Sequence, residues 1–434
     1  LKQKISVFWF RRDLRLNDNR GLYNALLTGF PVLPVFIFDT AILEKLQHKD
    51  DARVSFIYDA LQKLKAELEK QGASLRVFHT NPADALRELI MEYDVQAVYA
   101  NKDYEPYAIS RDRKMAVLLQ KAGAKLYLVK DHVIFEEDEV VKDNGEPYTI
   151  FTPYSRKWKQ MLDEVHNSPV PSEKLVAGYF RTSPFPLPEL NSLGFGKSSI
   201  EAPLPVISEQ IIKNYAAVRD FPAVEGTSRL GVHLRFGTIS IRELVRLAKD
   251  LSQVYLNELI WREFFSAILW NFPHVENSAF KPKYNYIRWR NNEGEFERWC
   301  RGETGYPLVD AGMRQLNATG FMHNRVRMVT AGFLVKHLLI DWRWGEAYFA
   351  ERLLDYDLAS NNGNWQWAAG TGCDAAPWFR IFNPETQQKK FDPNDEYVKK
   401  WVPEWGTAGY PEPVVDHREA RERALQAFGK AVRH

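Results

Sequence analysis

Residues 355–367 read Asp-Tyr-Asp-Leu-Ala-Ser-Asn-Asn-Gly-Asn-Trp-Gln-Trp. Two carboxylates, Asp355 and Asp357, stand two apart; a small polar run follows, and two indoles, Trp365 and Trp367, again two apart, close the stretch. No amphipathic period runs through it. Hydrogen-bonding side chains beside large flat rings are what a buried aromatic ligand needs. The same residues also fit a polar turn ahead of a Trp-rich core element.

Other constellations could add chemistry. Glu225-Gly226-Thr227-Ser228-Arg229-Leu230 puts a glycine, two hydroxyls and a guanidinium at an expected helix start. Such a start, with backbone N–H groups free, binds phosphate; a plain N-cap with a surface Arg is the simpler alternative. On an expected helix around Tyr255–Phe265, Glu258, Trp261 and Arg262 follow i, i+3, i+4 spacing and share a face. That face suits a base, or equally an exposed ion pair with Trp261 in the core. Residues 311–340 hold four Lys/Arg, Arg325 and Arg327 among them, and no acid, with His323 and Asn324 alongside. Local basic excess is the footprint of phosphate contact; alternatively these arginines pair with Asp341, Asp355 or Asp357. Both hold if Arg327 takes a buried Asp while Arg325 faces a nucleic acid. Trp289, Trp342 and Trp365, each beside a polar or charged residue, could relay an electron from interior to surface, or could be ordinary core tryptophans.

These residues need elements to position them. A chain of 434 residues suggests two or three domains, and 45% hydrophobic with 26% charged content is ordinary for a globular protein. A net charge of +2 names no partner, so any nucleic-acid site must come from local clustering. Two cysteines, Cys300 and Cys373, cannot build a disulfide framework or a zinc site of their own. No run approaches the roughly 18 apolar residues of a membrane helix, and the start, Leu-Lys-Gln-Lys, leads straight into a strand pattern with no secretory signal; a cytoplasmic protein is expected. Of thirteen tryptophans, eleven follow residue 255, so the C-terminal half binds flat ligands or uses the indoles chemically.

Strand patterns at 5–10, 32–38, 74–79, 95–100 and 125–129 alternate with helical patterns near 22–26, 53–71, 82–93 and 109–122. This predicts an α/β domain over 1–130 with a parallel sheet and helices on both faces. No GxGxxG follows the first strand, so the dinucleotide fingerprint is absent. Residues 131–205, rich in Pro and Gly, read as a connector carrying one helix near 153–166. From 206 to 434 the pattern is all-α, with helices expected at 208–218, 227–234, 240–250, 252–270, 307–319, 323–339, 344–355 and 417–433.

Taken together, several segments resemble the photolyase/cryptochrome family over essentially the whole chain. They are Trp9–Asn19 (Trp-Phe-Arg-Arg-Asp-Leu-Arg-Leu-Asn-Asp-Asn), Gly226–Leu230, Asn257–Phe264, Gly305–Leu316, and the stretch from Trp342 through Asp357 to Pro384. The nearest subgroup looks like the class I photolyases of cyclobutane pyrimidine dimers. The resemblance implies a Rossmann-like antenna domain and a helical domain holding U-shaped FAD, active as FADH⁻. Excited by light, it passes an electron to the dimer, the ring splits, and the electron returns. No metal is implied.

The resemblance also implies roles. Tyr215, Thr227, Ser228, Arg229, Leu230 and Gly231 match the surroundings of the FAD phosphates, Gly231 standing where many relatives carry Ser. Tyr255 and Arg262 match positions beside the flavin site. Asn324, Arg327, Asp355, Tyr356 and Asp357 match the surroundings of isoalloxazine and ribose, with Arg327 and Asp355 as a salt bridge over the ring. Asn361 matches the residue facing flavin N5. Trp365, Trp342 and Trp289 match a photoreduction relay, in that order from flavin to surface. Glu258, Trp261, Asn324, Met328 and Trp367 match the pocket for a dimer flipped from the duplex. Arg219, Arg325, Arg380 and Gln387 match DNA contacts.

Met328 stands where enzymes for 6-4 photoproducts carry a His, and a thioether does no acid–base work; this favours cyclobutane dimers. Asn101–Ala108 lacks the Asn-Glu pair of folate-binding relatives, while Glu105-Pro106-Tyr107 and Ala52-Arg53-Val54 look more like deazaflavin binders. A second chromophore, deazaflavin or another flavin rather than folate, is therefore the expectation. The expected partner is UV-damaged DNA, with no membrane and no obligatory protein partner, and the chain is expected to act as a monomer. The alternative is a blue-light-sensing cryptochrome without repair activity.

Overall fold

The computed structural model describes residues 2–433. Its contacts divide the chain into two compact units, one of Leu1–Glu136, Met161–Ile207 and Arg229–Leu247, the other of Glu137–Gln160, Ser208–Ser228 and Ala248–His434. The stretch expected as one connector, 131–205, is thus shared between them, and residues 229–247, expected in the helical part, fall in the first unit. One cause is local. Phe180 N–H donates to Val32 O (2.8 Å), extending the hydrogen bonding of a sheet strand, and the Phe180 ring is buried in the sheet's core.

The first unit is built on five parallel strands, β1 (Lys4–Phe10), β2 (Val32–Asp39), β3 (Arg76–Thr80), β4 (Asp94–Asn101) and β5 (Lys125–Val129), in the order β3-β2-β1-β4-β5. Interleaved are α1 (Arg20–Leu26), α2 (Ala52–Lys70), α3 (Pro82–Glu92) and α4 (Pro106–Lys121). Near-continuous apolar runs such as Ile5–Phe10, wholly buried, are what a sheet covered on both faces requires. Pro34 is tolerated in an inner strand because β2–β3 pairing begins only at Val35, so its missing N–H costs no ladder bond there. Gly21 lets α1 lie close on the sheet, since a Cβ would stand 2.5 Å from Asn101 Oδ1 and 2.9 Å from Phe8.

The motif after β1 is a fastening. Asp13, fully buried, accepts from Arg11 N (2.6 Å), Asn19 Nδ2 (3.2 Å) and Asn101 Nδ2 (2.6 Å). Arg15 pairs with Asp131 (2.6 Å), and Arg242 with Asp131 (2.8 Å) and Asp18 (3.0 Å). The two guanidinium groups hold the Asp131 carboxyl well below the usual carboxylate range, against the opposing effect of burial.

The helical unit contains α5 (Phe151–Met161), α6 (Glu209–Val218), α7 (Gln253–Asn271), α8 (Pro307–Thr319), α9 (Asn324–Gly332), α10 (Trp342–Arg352), α11 (Leu358–Ala369), α12 (Pro384–Phe391) and α13 (His417–Arg433). The helix α8 matches its expected span. The helix expected over 323–339 divides: α9 stops at Gly332 and a π turn covers Phe333–His337. Residues 227–230 are not helical; Arg229 has φ +51°, and a short helix starts only at Gly231.

The largest departure is α11, where the sequence shows no helical period. Asp357 caps it, accepting from Ser360 N (3.0 Å). Its residues are buried on several sides, Ala359, Asn361, Asn362, Trp365, Gln366, Ala368 and Ala369 among them, so it carries no amphipathic stripe. Its polar side chains are satisfied locally. Asn362 Nδ2 and Gln366 Nε2 donate to Val275 O (2.9 and 3.0 Å), and Gln366 Oε1 accepts from Phe280 N (2.9 Å). Gly363 admits close contact with α7, for a Cβ would meet the Phe265 ring at 2.1 Å.

Candidate functional site

Four helices of the second unit present most of the residues singled out in the sequence. On α7, Tyr255 and Glu258 project toward α6. The Tyr215 and Tyr255 rings meet edge to face, centroids 5.0 Å apart, and Ser228 Oγ bonds the Tyr255 hydroxyl at 2.8 Å. Arg219, at the end of α6, is ion-paired with Glu258. Burial pushes the Glu258 carboxyl above its ordinary pKa, and Arg219 opposes that shift. Glu258 is therefore set to keep a proton longer than a solvated glutamate.

Trp261 lies under an unforeseen partner. The Phe151 ring stacks on it at 3.6 Å and 4°, and Phe265 covers it on another side at 5.4 Å. Phe151 N donates to Asp374 Oδ2 (2.8 Å), which fixes the start of α5. Nothing in the sequence signals this pairing across more than a hundred residues. Arg262, one residue on, is half-buried.

The helix α9 begins at a buried cap. His323 Nδ1 accepts from Arg325 N (3.2 Å), and burial, with Arg327 adding, lowers the imidazole pKa to about 4. Asn324 is exposed, and Met328, one turn on, is half-buried. Arg327 donates to both Asp355 oxygens (3.2 and 3.0 Å) and to Met322 O (2.8 Å). Arg325 turns inward as well: it bonds Asp220 (2.6 Å), approaches Met328 Sδ (3.7 Å) and sits over Phe391 (4.3 Å). Asp220 had no mark in the sequence.

On α11, Trp365 is 2% exposed and Trp367 half-buried. Two residues span about 200° of a helix, so the two indoles leave on opposite sides. Trp342 is 1% exposed at the first turn of α10, whereas Trp289 is partly exposed with its edge on Phe428 (5.8 Å). Asn361 is buried and donates through Nδ2 to Glu346 Oε1 (2.8 Å) and Glu346 O (3.1 Å). Arg380 is exposed; Gln387 is half-buried on α12, beside exposed Lys389 and Lys390. Tyr356 and Asp357 are half-buried between Asp355 and α11.

The residues present fit a flat, phosphate-bearing cofactor by the chemistry of their donors: hydroxyls at Thr227 and Ser228, a guanidinium–carboxylate pair at Arg327 and Asp355, an amide at Asn361. Buried polar atoms without a partner among the described residues add to this: His323 Nε2, at the cap of the helix that carries Arg327, and Asn257 Oδ1, on α7. In the first unit, Arg11 and Arg111 lie over Trp9 (5.0 and 4.9 Å), and Arg11 Nε and Arg111 Nη2 are likewise buried and unpartnered. Nearby, the Tyr107 hydroxyl donates to Asp39 (2.6 Å), and Arg53 is engaged by Asp51 at the start of α2.

Known proteins resemble this chain along its whole length. A family model described as DNA photolyase matches residues 6–174, and one described as the FAD binding domain of DNA photolyase matches residues 255–430. A deoxyribodipyrimidine photo-lyase of Halobacterium salinarum is 38% identical over 98% of this chain and 99% of its own. Among solved structures, a class III photolyase from Agrobacterium tumefaciens is similar with a TM-score of 0.89 and 33% identity, covering 100% of this chain and 99% of its own. An archaeal photolyase from Sulfolobus tokodaii, whose crystal structure holds two FAD molecules, is similar with a TM-score of 0.82 and 35% identity, covering 99% and 100%. With likeness running the full length in both sequence and fold, the chain belongs to the DNA photolyase family.

Proposed function

We propose that this chain is a light-driven DNA-repair enzyme that holds FAD in its helical unit and splits cyclobutane pyrimidine dimers flipped out of UV-damaged DNA. The observation that carries this reading is the Arg327–Asp355 ion pair followed, six residues on, by buried Asn361, all within the segment matched by the FAD-binding model. FAD, when bound in its reduced form, supplies light absorption and the electron that opens the dimer.

The chain's own residues do the rest. Tyr215, Thr227 and Ser228 hold the phosphates, with Tyr255 and Arg262 beside them. Arg327, Asp355, Tyr356 and Asp357 orient the ring and ribose. Trp367, and what Phe151 and Phe265 leave open of Trp261, offer apolar surface to the flipped bases in place of stacking worth about 1–3 kcal/mol per base. Asn324 and Met328 line the same pocket, and Glu258, whose carboxyl burial raises above the ordinary range, bonds the carbonyl edge of the lesion. Trp365, Trp342 and Trp289 return electrons from the surface, with exposure rising at Trp289. Arg219, Arg325, Arg380 and Gln387 track the DNA backbone. The unpartnered guanidinium N–H groups over Trp9 favour a second chromophore with an acidic or carbonyl-rich ring, a deazaflavin or a flavin. Among the described residues no helix is long and apolar enough to cross a membrane; the reading is of a cytoplasmic monomer whose partner is the damaged duplex.

The test is to illuminate the reduced, FAD-loaded protein with dimer-containing DNA and assay restored pyrimidines, with a dark control. Light-dependent restoration is expected. Bound FAD with no restoration would establish the cryptochrome alternative.

A further inference from the structure

Two short segments of the helical unit meet along one seam. A 3₁₀ turn, Pro282–Tyr286, and the residues after it lie against the second half of α13: Tyr284, Ile287, Leu339, Phe428 and Ala431 share one buried cluster, with Trp289 and Val432 packed on it. Burial fixes which side chains stay outside. Residues three apart eclipse in a 3₁₀ turn, so Tyr284 and Ile287 go inward together while Lys283 and Tyr286 are left exposed together, Tyr286 by 67%. On α13, Lys430 and Arg433, also three apart and so neighbours, are exposed beside buried Ala431. The charge of the seam has one sign. Neither Asn277–Asn292 nor Arg423–Arg433 contains an Asp or Glu. Lys281, Lys283, Arg288, Lys430 and Arg433 make no ion pair among the described residues. Elsewhere in this unit cations are matched: Arg301 holds Glu297 and Glu303, Arg314 holds Glu404, and Arg343 holds Asp341. Burial lowers the Arg423 pKa, and neighbouring Arg290 lowers it further against Glu295 and Glu419, so like charges already crowd this place.

An uncompensated cationic strip is the footprint of a polyanion, and the large exposed ring decides which one. A tyrosine set among ammonium and guanidinium groups offers a face on which an unpaired base stacks, whatever the base, because each has a π face. A duplex keeps its base faces stacked inside. An acidic protein surface brings carboxylates but nothing that Tyr286 is needed for. We propose that this seam is a binding surface for single-stranded nucleic acid, indifferent to sequence and to damage, on which Lys283, Arg288, Lys430 and Arg433 take phosphates and Tyr286 takes a base. It shares no residue with the lesion pocket or the DNA contacts assigned above, and it stands whether or not that assignment does.

The experiment titrates the full, FAD-loaded chain in the dark with fluorescent lesion-free oligo-dT, followed by anisotropy over a range of salt. An equimolar unlabelled duplex carrying one dimer occupies the repair site throughout, and labelled poly-glutamate, a polyanion without rings, is titrated in parallel. Lys283→Gln/Arg288→Gln and Lys430→Gln/Arg433→Gln should each weaken oligo-dT binding about tenfold and flatten its log–log salt dependence by about 1.4, two phosphate contacts at about 0.7 each. Tyr286→Ala should weaken oligo-dT binding about fivefold, one stacked base lost, with its salt slope and poly-glutamate binding unchanged. All three variants should keep native light-driven repair of the duplex. Native oligo-dT affinity and slope in both double variants overturn the proposal. So does full displacement of oligo-dT by the duplex, which would place its binding in the repair site. Equal losses for oligo-dT and poly-glutamate, with Tyr286→Ala silent, would reduce the seam to a general attraction for anions and remove nucleic acid as its ligand.

Discussion

The two units treat buried charge in opposite ways. In the α/β unit, Arg15, Arg242, Asp18 and Asp131 are bonded to one another and closed to solvent, with Arg15 Nε left over: Arg242 Nη2 alone donates to Asp18 O (2.6 Å) and Asp131 Oδ1 (2.8 Å), and its side chain is 1% exposed. In the helical unit the side chains of the ion pairs Arg219–Glu258 and Arg327–Asp355 are 23–29% exposed. A closed network stabilises a fold, whereas an open one is waiting for a ligand. Buried unpartnered guanidinium atoms occur in both units, so the difference lies in how far each ion pair is open to solvent.

Breaking the closed network should give the largest effect. Arg242→Met strands Asp18 and Asp131 and is expected to cost roughly 3–5 kcal/mol of stability, read by chemical denaturation. The pH dependence has a definite sign. Asp131 is depressed below its unfolded value, so its contribution is present above the ordinary Asp pKa and lost as pH falls through the folded one. In Arg242→Met part of that acid sensitivity should disappear.

Opening the ligand-facing pair should act on binding instead. Arg327→Ala should leave stability within about 1 kcal/mol, as part-exposed pairs do, yet weaken FAD retention about 10- to 100-fold, measured by flavin release on dilution. Unchanged retention would take Arg327 away from the cofactor.

Glu258 sharpens the contrast through its proton. Its raised pKa means that the protonated form persists above the range of a solvated glutamate and is lost as pH rises through the raised value. Repair yield should decline across that rise in the native protein and stay flat in Glu258→Gln, which remains a donor. Parallel declines in both would assign the pH dependence elsewhere.

The smallest effect separates two arginines. Exposed Arg380 should contribute about one unit of slope when log affinity for DNA is plotted against log salt. Arg325, held by Asp220 and Phe391, should contribute less than Arg380 when each is changed to Ala. Equal slopes would mean that Arg325 leaves Asp220 when DNA binds.

How much of this the sequence carried depends on the kind of interaction. Parallel strands announce themselves as apolar runs, and α8 as a helix opened by Pro307 and ended by Gly320. The Arg327–Asp355 pair was foreseen through the family resemblance, since the charges alone left Asp341, Asp355 and Asp357 open as partners. The helix α11 was not legible: burial on several sides removes the period by which helices are recognised, and its Asn and Gln side chains, poor helix signals, are chosen to meet Val275, Ser278 and Phe280. Phe151 on Trp261, Asp220 on Arg325 and Glu346 on Asn361 were equally hidden, since each is a pairing of two commonplace residues set by tertiary approach.

The opposed indoles of α11 carry a last consequence. Trp365 and Trp367 are mounted on one short rod, so their bearings are geared together. Inserting or deleting a single residue ahead of them would turn the rod by about 100° and swing the buried ring and the open ring out of their seats in one stroke. Substitutions can tune either wing alone, but length changes cannot, which predicts that engineering of this segment will tolerate replacement and reject insertion.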